Sequence, residues 1–502
     1  MKPRFIVAAA VTALVCFGAG PESSAAADDY DDFLKGSADE FDAFLNKSEK
    51  EFADFLEQAN KDMADFLGKP WDAIVSIPKK QPEPDPEPAP VILDDDAIKR
   101  SRPKPRPVVI DTVVAPPVPE PRPVPVSPIK EVPVTNPLPD VNCVMYGTPF
   151  AVRGVDLGGF SVRNRDYQRA WKQLMNAKVN NFVIDCLALR EKHNLCDWAF
   201  MQLVGRLSSR LVSGRANDTA MLTGYLLSQC GYKMRFCEDE AGALHVLYAS
   251  DGIVYNTYAL YLDGSTFYAL TEPSSKQVMV CNFSFPKERK ISMAINGRMK
   301  LDYAPAPSRT VTARFCPSLT ATVTPNKNLI DFYNEYPEAT LNESPYTKWA
   351  IYANVPVSAE LKRDLYPAVR TAIAGKSQGD AANILLHLAQ TFPYGYDNEI
   401  WGRDRAFFPD ETWHYPYSDC EDHAIHFSRL VRDLMGLDVV LVYYPGHLAS
   451  AVAFTDSSIT GDYIMHNGRR FTVCDPTIFY SNIGETMRDM DNSSAILIDL
   501  VR

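Results

Sequence analysis

The chain reads as an α+β protein built twice. A helix-spaced apolar run followed by short β-rich runs occurs once between Cys196 and Pro273 and again between Gly379 and Pro476. Each copy is expected to be a helix packed on an antiparallel sheet, and both follow an N-terminal helix and a proline-rich linker.

In chain order, Met1–Arg4 is a basic start, Phe5–Gly20 an apolar run and Ala25–Ala27 a small-residue cleavage site. Residues 1–27 thus have the layout of a secretory signal peptide, which implies a periplasmic or secreted protein with a mature start near Asp28. Cys16 invites a lipoprotein reading, but Val15 stands where the lipoprotein peptidase wants a small residue. No later apolar run approaches the length of a membrane span.

Residues 28–70 carry an eleven-residue repeat, with Phe33-Leu34, Phe44-Leu45, Phe55-Leu56 and Phe66-Leu67 in register and Tyr30, Phe41, Phe52 and Met63 as a second column. Eleven residues make three helical turns, so the apolar residues share one stripe. Gly68-Lys69-Pro70 ends the helix. A stripe of this kind over 28–67 serves self-association or envelope docking, or packs on the protein's own domains. Lys and Arg do not dominate its polar face, which argues against an anionic membrane. Residues 71–140 hold half of the chain's 38 prolines and read as an extended spacer.

Residues 141–285 form the first copy and 286–355 a β-rich connector, with runs such as Ile291–Ile295 and Thr310–Cys316 broken by prolines. Residues 356–502 form the second copy. There, Ala424–Met435 has apolar residues at helical spacing and Gly436 at its end, so Cys420 stands at a helix N-terminus. The helix dipole and the unpaired N–H groups of a first turn favour a thiolate. Leu437–Tyr444 is rich in β-formers, Pro445-Gly446 breaks it, and His447 opens the next strand. Arg470–Cys474 is a third, delivering Asp475 just before Pro476. Nucleophile, base and orienting acid therefore come in order from helix, strand and strand. A lone cysteine is more often core than catalyst, and it is the three motifs together that lift Cys420 above that base rate.

The order Cys, His, Asp on these elements resembles the transglutaminase-like (papain-like) cysteine hydrolase superfamily. Phe407-Phe408-Pro409, Tyr415–Asp422, Tyr444–His447 and Cys474–Thr477 are especially similar to secreted transglutaminase-like proteins of Bacteroides-type bacteria. One departure is Leu448-Ala449 after the histidine, where many members place an aromatic. The resemblance implies tandem transglutaminase-like domains, a Cys420–His447–Asp475 triad and a thioester intermediate. It implies a peptide or peptidoglycan-like substrate, cleaved or transferred at a peptide or carboxamide bond.

The two copies match segment by segment. Ala216-Asn217-Asp218-Thr219 falls on Cys420-Glu421-Asp422-His423, His245 on His447, and the run ending at Pro273 on the run ending at Pro476. The first copy would then carry Ala216 in the nucleophile's place. It lacks the aromatic and charged insert Phe392–Tyr417, which is expected over the site. Within that insert Tyr417 and Trp413 are candidates for a second oxyanion donor or for walls of the substrate groove; ordinary aromatic packing accounts for them equally well.

His414, His423 and His426 crowd the same region, but no second pair of ligands at structural spacing stands beside them, so no metal is expected. Phosphate-cradling glycine loops are missing and no cofactor is expected. A net charge of −12 argues against nucleic acid. Nine cysteines remain outside the signal, and their pairing is not readable from sequence. The alternative to an enzyme is a non-catalytic peptide- or glycan-binding envelope module on a proline stalk.

Overall fold

The computed structural model describes residues 56–82, 107–117, 129–487, 490 and 492–501. The chain divides into two compact units, Met1–Glu57 and Gln58–Arg502. Everything below concerns the second. The expected signal peptide at 1–27 and residues 28–55 of the expected 28–70 helix lie outside the described residues.

The architecture is α+β, with two six-stranded sheets and two hairpins. Strands β1 (Asp72–Val75) and β2 (Thr112–Val114) come from the proline-rich stretch, and β3 (Val141–Met145) and β4 (Thr148–Val152) form a hairpin. Next come β5 (Met234–Glu238), β6 (Leu244–Ala249), β7 (Ala259–Leu262), β8 (Ser265–Ala269) and β9 (Gln277–Cys281). A second hairpin, β10 (Arg309–Thr312) and β11 (Thr320–Val323), belongs to the connector. The remaining strands are β12 (Asp438–Tyr444), β13 (His447–Ala453), β14 (Tyr463–His466), β15 (Arg469–Cys474) and β16 (Ile496–Asp499).

The first sheet runs β1-β9-β5-β6-β8-β7 and the second β2-β16-β12-β13-β15-β14. The two orders correspond strand for strand. All pairings are antiparallel except β16 with β2, which is parallel. Helices α1 (Asp197–Leu211) and α2 (Ala216–Gln229) precede the first sheet's central strands; α3 (Gln378–Ala389) and α4 (Cys420–Met435) precede the second's. In each half the second helix packs on the two central strands. Every residue of β5, β6 and β13 is buried. In the second half, Val439 and Val452 face the helices with Phe427, Leu430 and Leu385, while Val440, Ala451 and Leu497 face the opposite core with Val108. The alternation is the period-two pleat of a sheet covered on both sides.

Residues 71–140 are not a free spacer where they are described. Asp72–Val75 pairs with β9, Thr112–Val114 with β16, and Val132 exchanges hydrogen bonds of 2.8 and 2.9 Å with the Asn181 amide. Short β-branched runs between prolines suffice for edge strands, because an outer edge asks no donor of a proline. The last repeat of the N-terminal helix is also packed. Met63, Ala64 and Leu67 are buried, Asn60 and Gln229 exchange amide hydrogen bonds of 3.1 Å, and Phe66 meets Phe283 at 5.8 Å.

Candidate active site

Helix α4 begins at Cys420 because Asp419 caps it. The Asp419 carboxylate accepts from the Asp422 N–H, and Asp422 accepts in return from the Asp419 N–H at 3.2 Å, a capping box. The other Asp422 oxygen accepts from the Phe407 N–H at 2.7 Å, which ties the insert to the helix start. Gly436, at φ +66°, ends the helix in the left-handed conformation that glycine adopts without strain. His447 opens β13 directly after the Pro445-Gly446 turn, opposite Tyr444. Asp475 follows β15, which pairs with β13 through Ser450 and Cys474.

These elements bring the His447–Asp475 pair together. Nε2 of His447 lies 2.8 Å from Oδ2 of Asp475, whose Oδ1 accepts from the Thr477 N–H at 2.9 Å. His447 Nδ1 is buried and without a hydrogen-bond partner. Cys420 Sγ instead donates to Glu421 Oε2 at 3.1 Å, and it receives the backbone N–H of Leu448, the residue after His447. All three side chains are closed off from solvent, with Cys420 2 %, His447 1 % and Asp475 1 % exposed.

The electrostatics differ from the sequence expectation of a depressed thiol. The helix N-terminus is where the sequence put it, but burial, and then the Glu421 and Asp419 carboxylates, hold the Cys420 thiol well above its ordinary range. Glu421 is itself pushed up to about 8 by burial and by Asp404. The carboxylates of Asp397, Asp404 and Glu421 converge within 4.8 Å of one another, and Lys348 neutralises part of that charge through a 2.6 Å contact with Asp404. Burial opposes the lysine's charge, yet Asp404 outweighs it and keeps Lys348 firmly protonated.

Tyr417 is about half exposed, three residues before Cys420, and its ring stem lies against Gly395, where a side chain would collide with it. Trp413 is wholly buried, edge-on to Phe392 at 5.1 Å and near His426 at 6.2 Å, within the helix-side core. The insert is pinned from the connector by Arg309, which donates to the carbonyls of Thr412 at 3.1 Å, Tyr415, and Pro416 at 3.2 Å. His423 bonds Ser418 Oγ at 2.9 Å, and burial pushes His423 down to about 4 and His426 to about 3. Among the described residues, the groupings of side chains close enough to share a cation contain no histidine.

The first half places Ala216 at the start of α2, as Cys420 starts α4. The match of His245 with His447 does not hold in register. Both sheets carry a two-residue hairpin turn, Asp263-Gly264 and Asn467-Gly468, which sets Ala269 on Val473; Leu247, paired with Ala269, then falls on Ala451, paired with Val473, all in the core away from the helices. His245 therefore occupies the place of Ala449, and the place of His447 falls at Ala243, in the loop between β5 and β6. His245 Nδ1 lies 2.8 Å from Thr271 Oγ1, and Thr271 stands at the place of Asp475.

Lys348, Asp397, Asp404 and Glu421 escaped the sequence reading. Only Glu421 carried a local signal, its adjacency to the cysteine. No protein-family model, curated protein or solved structure matches the chain.

Proposed function

We propose that the chain is a transglutaminase-like cysteine hydrolase or acyltransferase that acts on a peptide or carboxamide bond through Cys420, His447 and Asp475. The observation that carries this reading is the His447–Asp475 contact. Asp475 accepts the Nε2–H, which leaves Nδ1 as the basic nitrogen, buried and unpartnered, next to a residue whose N–H reaches Cys420 Sγ. In turnover, Nδ1 takes the thiol proton and the thiolate attacks the carbonyl carbon. The leaving amine departs with that proton, and water or a second amine resolves the thioester. The Cys420 backbone N–H, one of the unpaired donors of the first turn, faces the developing oxyanion.

Matching sheet orders, and Ala216 and Cys420 at equivalent helix starts, support reading the halves as copies of one transglutaminase-like fold, the first without a thiol. Among the described residues no helix is long and apolar enough to cross a membrane. With the signal-like first 27 residues, this fits an exported protein acting on peptide or peptidoglycan-like substrates.

The sealed triad and the raised thiol favour one second reading, a binding module that does not turn over. Iodoacetamide labelling of Cys420, followed by mass spectrometry at pH 7, separates the two. The enzyme reading expects labelling that falls at least about tenfold in His447→Ala. Equal labelling in both proteins sinks it.

A further inference from the structure

The resting position of the thiol proton carries an inference beyond the triad. Cys420 donates to the Glu421 carboxyl, not to the imidazole meant to receive its proton, although the imidazole nitrogen is buried and unpartnered. We propose that Glu421 is a further catalytic residue that holds the Cys420 thiol proton in the resting protein, and that Asp404 of the insert sets the strength of that hold. This rests on Cys420 being the nucleophile.

Three elements converge on the Glu421 carboxyl. Its own helix start brings Asp419 and Asp422. The insert brings Asp397 and Asp404, whose carboxylates lie within 4.8 Å of the Glu421 carboxylate and of each other. The helix Lys348–Asn354 brings Lys348, paired to Asp404 at 2.6 Å. Glu421 is 5 % exposed. Water does not screen this group, so each neighbouring charge acts on it at low dielectric. Burial and Asp404 raise its pKa to about 8, so at neutral pH its carboxyl keeps its proton.

The consequence is a two-group titration. While Glu421 keeps its proton, the thiol beside it meets no full negative charge from that side. Once Glu421 ionises, its charge opposes the thiolate. Activation swings Sγ–H from Oε2 to His447 Nδ1. The proton then moves to Nδ1, so a thiolate and an imidazolium replace a thiol and a neutral imidazole, with nothing gained or lost elsewhere.

The test is the pH profile of iodoacetamide labelling at Cys420 in the full chain, for wild type, Glu421→Gln and Asp404→Asn, each with and without His447→Ala. Glu421→Gln removes the opposing charge and should lower the labelling midpoint by about one pH unit or more. Asp404→Asn should lower the pH at which the Glu421 carboxylic-acid band is lost from infrared spectra, because without the Asp404 charge Glu421 ionises at lower pH. A substitution that merely loosened the site would speed labelling in both variants at every pH. An unmoved midpoint in Glu421→Gln, or an unmoved Glu421 band in Asp404→Asn, overturns the proposal. If His447→Ala changes nothing in any background, the triad reading fails instead. If the reagent reaches Cys420 in none of them, infrared spectra at pH 7 decide. The carboxylic-acid absorption of wild type should lose one component in Glu421→Gln, with the other buried acids such as Glu411 unchanged, and identical spectra overturn the proposal.

Discussion

Asp475 works at the scale of a single hydrogen bond. Its carboxylate fixes which nitrogen of His447 carries a proton, so Asp475→Asn offers an N–H where an acceptor is needed and favours the wrong tautomer. Cys420 labelling or turnover should drop by a factor on the order of 10² to 10⁴ with little change in melting temperature. A loss of less than about threefold would remove Asp475 from the mechanism. Cys420, His447 and Asp475 were each legible because their neighbours announce their positions: a helix-spaced run after the cysteine, a Pro-Gly turn before the histidine, a proline after the aspartate. The state of the thiol was not legible. It depends on the Glu421 and Asp419 carboxyl groups and, through Glu421, on Asp404 and Lys348, which no local pattern ties to Glu421, and on a burial that outweighs the helix dipole.

Among elements, the helix over Ala424–Met435 and the strands around His447 were readable because each carries its own periodicity and stop signal. The strands β1 and β2 were not. Four and three residues long, they become strands only by docking on edges supplied by β9 and β16. The correspondence of His245 with His447 failed for a related reason, since loop length sets hairpin register and similar residues can slide along a strand. A spacer would ignore a proline at position 113. Here Val113→Pro removes the backbone N–H of a residue paired with Leu497 and should cost on the order of 1 kcal/mol or more. The urea midpoint should fall accordingly, and an unchanged midpoint would return this stretch to the role of a tether.

Across the whole molecule, buried ionisable groups set two opposing pH dependences. Burial raises Glu421 to about 8, Glu411 to about 7 and Asp410 to about 6, so their contributions are present below the ordinary carboxylate range and are lost as pH rises through those values. Burial lowers His423 to about 4 and His426 to about 3, so theirs are present above the ordinary histidine range and are lost as pH falls through those values. The melting temperature should therefore decline by a few degrees between about pH 6.5 and 8.5, with a smaller decline in Glu421→Gln. A flat profile over that range would mean these acids are solvated in solution.

The pairing of Thr112–Val114 with Ile496–Ile498 has a further consequence, in the order of assembly. An early strand must wait until residue 496 has been made before the sheet that carries His447 can close, a long-range contact of the kind that slows folding. Until then β12, fully apolar beyond its first residue, is an open edge facing whatever other chains are nearby, and such edges recruit neighbours into mixed sheets. A nascent or truncated chain is thus exposed to aggregation along the same strand whose turn presents His447.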